Sequence, residues 1–179
     1  TITENMSPEV ALEFLNEYFT KMHEIIKEFE GHILNYIGDS IMVVFGAPQK
    51  LKNHENQAVE CALKMKKQLE ELNTKWDDNK LSRYWKNHGI DSITMRTGIH
   101  TGSVIAGNIG SPEMLQYSTI GDTVNVASRL EQANKEFNTE ISFSHEIYTA
   151  LEEELFEKSK LSGEITLKGR TSPTKVYSI

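Results

Sequence analysis

The stretch Ser118-Thr119-Ile120-Gly121-Asp122-Thr123-Val124-Asn125-Val126-Ala127-Ser128-Arg129 decides how the rest of the chain is interpreted. It predicts the end of an apolar strand, a glycine, and then a helix with Asp122 as its N-cap, because the carboxylate can accept from the unpaired N–H groups of the first turn. Asn125 and Arg129 are four residues apart, so they lie on one face of that helix. An amide and a guanidinium near a helix start can bind an anion. The alternative is a packing helix whose Arg129 pairs with a nearby carboxylate.

Composition restricts the class of protein and its surroundings. The chain has 179 residues and a net charge of −7, with an isoelectric point near 5.4. We expect one domain over residues 1–179 and no nucleic acid partner, because nucleic-acid-binding domains usually carry a basic surface. The single cysteine, Cys61, cannot form an internal disulfide and favours a reducing, cytoplasmic environment. The longest apolar runs, such as Ile41–Phe45, are too short to cross a bilayer, so we expect no membrane contact by this domain.

The first part of the chain predicts two helices around a hairpin. Ser7-Pro8-Glu9 is typical of a helix start. The apolar residues that then recur at spacings of three and four, and are expected to be buried, are Leu12, Leu15, Phe19, Met22, Ile26 and Phe29. Gly38-Asp39 separates the strand-like runs Ile33–Ile37 and Ser40–Phe45, which predicts a tight turn. A second amphipathic helix is expected over Asn53–Asn73.

The remainder of the chain predicts more strands than helices. Residues Thr74–Asp91 are polar but contain two tryptophans, and we expect a surface loop or short helix that packs back onto the domain. The strands expected downstream are Ile93–His100, Ser103–Ile109, Ile141–Phe143, Ile165–Leu167 and Lys175–Ile179, with helices at Asp122–Asn134 and Ser144–Leu151. Helices and strands interleave irregularly with several hairpins, which favours an α+β sandwich.

Four segments, in this order, resemble the signature of class III nucleotidyl cyclases of bacterial type, which make cyclic AMP or cyclic GMP from the triphosphate. They are Tyr36–Met42, Gly98–Gly102, Gly121–Arg129 and Leu167–Arg170. The resemblance covers nearly the whole chain and implies a ferredoxin-like α+β sandwich with a mainly antiparallel sheet, the class III cyclase fold. Such domains open with a strand bearing Asp-Ile-x-x-Phe-Thr, whose Asp is a metal ligand. That motif is not found before the first helix, so we expect the strand and this second metal Asp upstream of residue 1; the alternative is that this chain cannot hold two metals. The parent would then be a longer signalling protein with an upstream sensor or regulatory domain, either free or membrane-anchored.

The resemblance also implies a reaction and a set of site residues. The ribose 3′-hydroxyl of ATP would attack the α-phosphorus and release pyrophosphate, giving cyclic AMP. Asp39 would be one of two carboxylates that hold two Mg²⁺ or Mn²⁺ ions. Arg129 would stabilise charge on the α-phosphate, Asn125 would orient the ribose and Lys168 would bind the triphosphate. In this family the metal Asp and the other three residues belong to different copies, so a homodimer with two shared sites is implied.

Two positions that usually select the purine base depart from the family pattern. The position four residues before the metal Asp is Lys in enzymes for ATP and Glu in enzymes for GTP, and here it is Asn35. The second position, Ser118, is closer to the Asp or Thr of ATP enzymes than to the Cys that is frequent in GTP enzymes. We expect ATP as substrate. A guanylyl or relaxed-specificity cyclase and a catalytically degenerate nucleotide-binding regulatory domain stay open as alternatives. Taken singly, Asp39 and Lys168 also fit ordinary turn and surface roles, and His100 is expected to be structural.

Overall fold

The computed structural model describes residues 2–166 and 173–179. Its helices are α1 (Pro8–Glu28), α2 (His54–Asp78), α3 (Arg83–Lys86), α4 (Asp122–Phe137), α5 (His145–Ala150) and α6 (Glu153–Lys158). Its strands are β1 (His32–Ile37), β2 (Ser40–Val44), β3 (Thr97–Ile99), β4 (Ile105–Ser111), β5 (Met114–Ile120), β6 (Ile141–Ser144), β7 (Lys160–Ile165) and β8 (Thr174–Ser178). Among the described residues, none of the helices combines the length and apolar character needed to span a bilayer.

A four-stranded sheet in the order β3-β6-β8-β7 forms the centre of the fold. The β3–β6 pair is parallel and the other pairs are antiparallel. Successive residues of a strand point to opposite faces of the sheet. Val176 of β8 packs with Val126 and Leu130 of α4, whereas Tyr177 packs with a cluster that includes residues of α2 and α5. The sheet therefore has α4 on one face and α2 with α5 on the other, which confirms the expected α+β sandwich.

Two further pairs of strands are antiparallel hairpins. The β1–β2 hairpin closes with Ile37 opposite Ser40, so its turn is Gly38-Asp39 as predicted. Gly38 has φ of 62°, a conformation that glycine adopts easily. The β4–β5 hairpin extends over seven residue pairs, from Ile105–Ile120 to Ser111–Met114.

Helix α1 begins as predicted, with Pro8 first and the Ser7 side chain accepting a 3.4 Å hydrogen bond from Val10 N. Its buried face agrees with the predicted one in part: Met22 and Ile26 are buried as predicted, and Phe14 and Ile25 are buried without having been predicted. Leu12 is 61% exposed, so the prediction that it is buried is wrong. The face is rotated toward Phe14 because the segment from the end of α2 through α3 packs against that side of the helix.

That segment contains both tryptophans. Trp76 lies on α2, which continues to Asp78, and Trp85 lies on α3. The Phe14 ring centroid is 4.8 Å from that of Trp76 and 5.7 Å from that of Trp85. Trp76 Nε1 donates a 2.9 Å hydrogen bond to Glu17 of α1. The expectation that the tryptophans pack back onto the domain is confirmed, while the loop start predicted at Thr74 is replaced by five more helical residues.

The strand predicted over Ile93–His100 is formed only by Thr97–Ile99. Asn73 of α2 explains the difference, because its side chain satisfies the backbone of Ile93. Asn73 Nδ2 donates to Ile93 O and Ile93 N donates to Asn73 Oδ1, both at 2.9 Å. A backbone that is already paired with a side chain does not need a strand partner.

Strands β2 and β3 each have one free edge within the described residues. β2 pairs with β1 and β3 pairs with β6, and no pairing joins β2 to β3. His54 connects the two strand ends: it lies beside Gly46, which follows β2, and its Nε2 atom is 3.3 Å from Thr101 Oγ1, which follows β3. Phe45 contacts the core clusters on both sides. Side-chain contacts therefore connect the ends of β2 and β3, although no backbone hydrogen bonds pair the two strands in the part of the chain that the structure describes.

Candidate active site

Helix α4 starts directly after β5, as the deciding stretch predicts, but the cap residue is different. Gly121 is the N-cap and its carbonyl accepts a 3.2 Å hydrogen bond from Val124 N, while Asp122 is the first helical residue. The predicted Asp122 cap is therefore wrong by one position. The Asp122 carboxylate still lies in the first turn, where the helix dipole favours negative charge.

Asn125 and Arg129 lie one turn apart on α4 and differ in exposure. Asn125 is exposed and Arg129 is half-buried. Within residues 2–166 and 173–179, neither side chain has a hydrogen-bond or ion-pair partner. The alternative in which Arg129 pairs with a nearby carboxylate is therefore not found in this part of the chain. Arg129 lines a surface cavity of about 330 Å³, together with Gln132, Ala133, Glu136, Ile165 and Thr166.

The segment Gly98–Gly102 lies against α4 and fixes how closely the helix approaches the sheet. A Cβ atom at Gly98 would lie 2.2 Å from Ala127 O and 2.2 Å from Glu131 N, so only glycine allows this contact. Thr123 Oγ1 donates a 2.9 Å hydrogen bond to Ser103 O and holds the first turn of the helix. The glycines of this segment are therefore explained by helix packing.

Asp39 lies at the tip of the β1–β2 hairpin and is exposed. Its charge reaches the half-buried Tyr18 of α1: partial burial, with a smaller contribution from Asp39, raises the pKa of Tyr18 to about 12. An exposed carboxylate on a turn fits one ligand of a metal ion. Among the described residues, no group of three or more His, Cys, Asp or Glu side chains has the arrangement of a metal site. Asp39 thus fits a metal site only together with ligands from outside this set.

Asn35 and Ser118 lie on strands that contact each other. A bulge in β1 leaves Leu34, between Ile33 and Asn35, without a partner in β2. Gln116 Nε2 of β5 donates a 2.9 Å hydrogen bond to Leu34 O and links the two strands at this point. Sequence reasoning missed Gln116; the one available signal is that it precedes Ser118 by two residues and so shares its face of β5.

His100 and Lys168 are the two remaining residues to which the sequence assigned a role. The His100 side chain is 4% exposed and its Nδ1 atom is 2.7 Å from Ser144 Oγ, in agreement with a structural role. Lys168 lies outside the described residues.

Large apolar side chains are exposed on the β4–β5 hairpin and beside the two predicted halves of the site. Ile37, 60% exposed, precedes the turn with Asp39, and Ile120, 56% exposed, precedes α4. Ile105 and Met114, at the two ends of the β4–β5 hairpin, are 74% and 76% exposed. Contiguous exposed apolar surface usually marks an interface with another molecule.

Comparison with known proteins gives one family. The profile described as "Adenylate and Guanylate cyclase catalytic domain" matches residues 1–179. "Adenylate cyclase 1" of Rhizobium meliloti (strain 1021) is 34% identical over 179 residues, which are all of this chain and 25% of that protein. "Adenylate cyclase" of Anabaena cylindrica is 29% identical over 180 residues, all of this chain and 34% of that protein. The chain thus spans between a quarter and about a third of these relatives.

Solved structures agree with this match. The structure of the adenylyl cyclase CyaB from P. aeruginosa is 30% identical with a TM-score of 0.79, covering 99% of this chain and 85% of that one. The guanylyl cyclase Cya2 is 29% identical with a TM-score of 0.78, covering 99% of this chain and 83% of that one. The architecture built from β3-β6-β8-β7, its helices and the two hairpins is therefore shared with these proteins.

Proposed function

The chain belongs to the family of adenylate and guanylate cyclase catalytic domains, and on that premise we propose that it converts ATP to 3′,5′-cyclic AMP and pyrophosphate. The reaction is an intramolecular phosphoryl transfer. The ribose 3′-hydroxyl attacks the α-phosphorus, the bond to the bridging oxygen of pyrophosphate breaks, and negative charge spreads over the phosphoryl oxygens. The residues of this chain contribute by holding the nucleotide in line and by stabilising that charge.

The observation that carries this proposal is the state of Arg129. A half-buried guanidinium without a described protein partner, facing a cavity of about 330 Å³, is poised to bind an anion. A planar guanidinium can donate two parallel hydrogen bonds to phosphate oxygens. Asn125, exposed one turn earlier on the same helix, can orient the ribose hydroxyl. Lys168 binds the triphosphate in this proposal, on the basis of the family motif alone.

Catalytic domains of this family are metal-dependent. We propose two Mg²⁺ or Mn²⁺ ions, with Asp39 as one carboxylate ligand and the second carboxylate on a strand upstream of residue 1. The ions supply positive charge to the attacking and leaving oxygens when bound. The free edges of β2 and β3 support this placement, because a strand between them would join the separate sheets into one.

The proposed active enzyme is a homodimer in which Asp39 of one copy faces Asn125 and Arg129 of the other. The exposed apolar residues Ile37 and Ile120 support this arrangement, because each lies next to one half of the site. Burying them against a second copy would bring both halves of the site to the interface. An upstream sensor or regulatory domain is proposed as the element that controls how the copies meet.

The choice of ATP over GTP depends on Asn35 and Ser118. An amide both donates and accepts, so Asn35 is compatible with either purine, while a Ser hydroxyl can take the place of Thr in an ATP enzyme. The Gln116–Leu34 link supports a joint role, since it holds the strands of these two residues together. A guanylyl or relaxed-specificity cyclase is the second candidate because Asn35 carries no charge that would reject guanine.

The test is an assay of the purified protein, including the residues that precede Thr1, with Mg²⁺ or Mn²⁺ and each of the four ribonucleoside triphosphates. We expect cyclic AMP from ATP at the highest kcat/KM. A higher kcat/KM with GTP would replace the ATP assignment by the guanylyl one. Nucleotide binding by calorimetry without any cyclic product would support the degenerate regulatory domain and exclude the enzyme.

A further inference from the structure

We propose that Asn134 is a positioning residue that sets the place of α4 along the sheet, and through it the place of the Arg129 guanidinium. The inference rests on the proposed function, because it assigns Asn134 a role in the turnover carried by Arg129. Asn134 follows Arg129 by five residues and is directed to the sheet, where it is 1% exposed. It therefore acts through the helix and does not touch the nucleotide.

The Asn134 side chain joins three elements with a full set of hydrogen bonds. Its Nδ2 atom donates to Thr97 O of β3 at 2.9 Å and to Leu130 O of α4 at 3.2 Å. Its Oδ1 atom accepts from Thr139 Oγ1 and from Ser142 Oγ of β6, both at 2.8 Å. A buried amide is costly unless every donor and acceptor is paired, and a paired network allows one arrangement of its elements.

Two further bonds hold α4, from Thr123 Oγ1 to Ser103 O and from Arg96 Nε to Glu131 Oε1, both at 2.9 Å and both exposed. The remaining contacts under the helix limit its distance from the sheet without fixing its position along the sheet. At Gly98 the helix backbone rests directly on the strand, without a side chain that interlocks with it. The apolar contacts of Val126 and Leu130 with Val176 are also non-directional. The bond from Asn134 Nδ2 to Thr97 O is directional and ties the second half of α4 to β3.

This tie matters for Arg129 because nothing else described holds its side chain. The guanidinium has no hydrogen-bond or ion-pair partner in residues 2–166 and 173–179, so its position follows the α4 backbone. A displacement of about 1 Å in a catalytic group can cost about 10²-fold in rate. A shift of α4 along the sheet would move Arg129 and Asn125 together.

The experiment is a double-mutant cycle with Asn134→Leu and Arg129→Ala, measured as kcat and KM for ATP in the full-length protein. We expect Asn134→Leu to lower kcat by about 10²-fold with little change in KM. In the Arg129→Ala background the same substitution should cost clearly less, since the part of its effect that passes through the guanidinium is absent and only the part that passes through Asn125 is left. Equal losses in both backgrounds, or an unchanged kcat, would overturn the proposal.

Thr139→Val is the matched control. It removes one hydroxyl donor to Asn134 Oδ1 and keeps the bond to Thr97 O. We expect its kcat to stay close to that of the unmodified protein. A loss as large as that of Asn134→Leu would assign the effect to stability of the polar network and not to the link between α4 and β3.

Amide hydrogen exchange provides a readout that does not need turnover. In Asn134→Leu, or in Asn134→Ser if the leucine variant does not fold, we expect faster exchange at Asp122–Arg129 and unchanged exchange in α1. Unchanged exchange in α4 would overturn the proposal even if the protein were inactive. An unmodified protein that makes no cyclic nucleotide would instead contradict the proposed function alone.

Discussion

At the scale of the residue, Arg129 is the side chain on which turnover is expected to depend most. Arg129→Ala should lower kcat by about 10²–10³-fold, because a donor to the developing charge is lost, while the thermal unfolding midpoint stays unchanged. Arg83→Ala is the control, since Arg83 is exposed and its guanidinium lies over the Tyr84 ring, 5.0 Å from its centroid. Cyclase assays and calorimetric unfolding check both variants. Unchanged turnover in Arg129→Ala would remove it from the mechanism.

Glu17 gives a prediction for the pH dependence of stability. Burial opposes its ionisation, but hydrogen bonds from Lys75 and Trp76 outweigh it and lower the pKa of Glu17 below its ordinary value of 4.5. A lowered pKa means that the contribution to stability is present above pH 4.5 and is lost as the pH falls through the folded value. Glu17→Gln should therefore unfold at a lower temperature than the unmodified protein at pH 7, with the difference shrinking toward pH 3.

The control for this prediction is Glu24→Gln, because Glu24 pairs with Lys21 on the exposed side of α1. Exposed pairs contribute little, so its unfolding temperature should follow the unmodified protein at every pH. A Glu17→Gln variant with a constant offset from pH 7 to pH 3 would contradict the assigned pKa direction.

Residue patterns predicted some of the site and missed other parts for a physical reason. The spacing of Asn125 and Arg129 was enough to put them on one helix face. Gln116 was missed because its contact with Leu34 joins residues 82 positions apart, and no local pattern carries that distance. The cap was assigned to Asp122 and not to Gly121 because both residues are common in that position.

At the scale of the element, α1 shows that an apolar residue at helical spacing is not always buried. Phe14→Ala should cost about 3–5 kcal/mol of unfolding free energy, because it leaves a cavity against Trp76 and Trp85. Leu12→Ala should change it by less than about 0.5 kcal/mol, since Leu12 is 61% exposed. Urea unfolding measures the free energy of unfolding of both variants. Similar losses in the two would support the original prediction that Leu12 is buried.

The close packing of α4 on β3 at Gly98 gives a second prediction at this scale. Gly98→Ala places a methyl group 2.2 Å from two backbone atoms of α4, so the helix must move away. We expect a loss of about 1–3 kcal/mol or more and a lower kcat. Gly107→Ala is the matched control in β4, because nothing lies within 4 Å of its Cβ position. Equal stability of the two variants would contradict the close contact between helix and strand.

Elements were predicted well where one local signal dominated, as in the β1–β2 hairpin and the start of α1. α6 (Glu153–Lys158) was not predicted, although acids in the first turn and a lysine in the last are favoured by the helix dipole. β3 was predicted too long because the pairing of Ile93 with Asn73 depends on a helix twenty residues earlier. Tertiary contacts of this kind override strand propensity.

At the scale of the whole molecule, the shared site predicts complementation between two inactive variants. Asp39→Ala and Arg129→Ala should each be inactive alone. Mixed in equal amounts and allowed to exchange, about half of the dimers contain both variants, and one of their two sites is intact. We expect about a quarter of the unmodified activity, measured as product formed per total protein. No recovery of activity would contradict a site shared between copies.

The α+β class followed from the order of helices and strands, and apolar periodicity predicted part of the core, such as Met22 and Ile26. Neither the break between β2 and β3 nor the contact of their ends through His54 and Thr101 was predicted. Such contacts depend on where whole layers meet, which periodicity does not specify.

The position of Trp76 and Trp85 has a practical consequence for spectroscopy. They are the only two tryptophans of the chain, they are 0% and 1% exposed, and their ring centroids are 5.7 Å apart. All indole fluorescence therefore originates from one corner of the molecule, where α1, α2 and α3 meet. A red shift in tryptophan emission would report that this corner has opened. Motions of α4 would leave the emission unchanged unless a new fluorophore were introduced there.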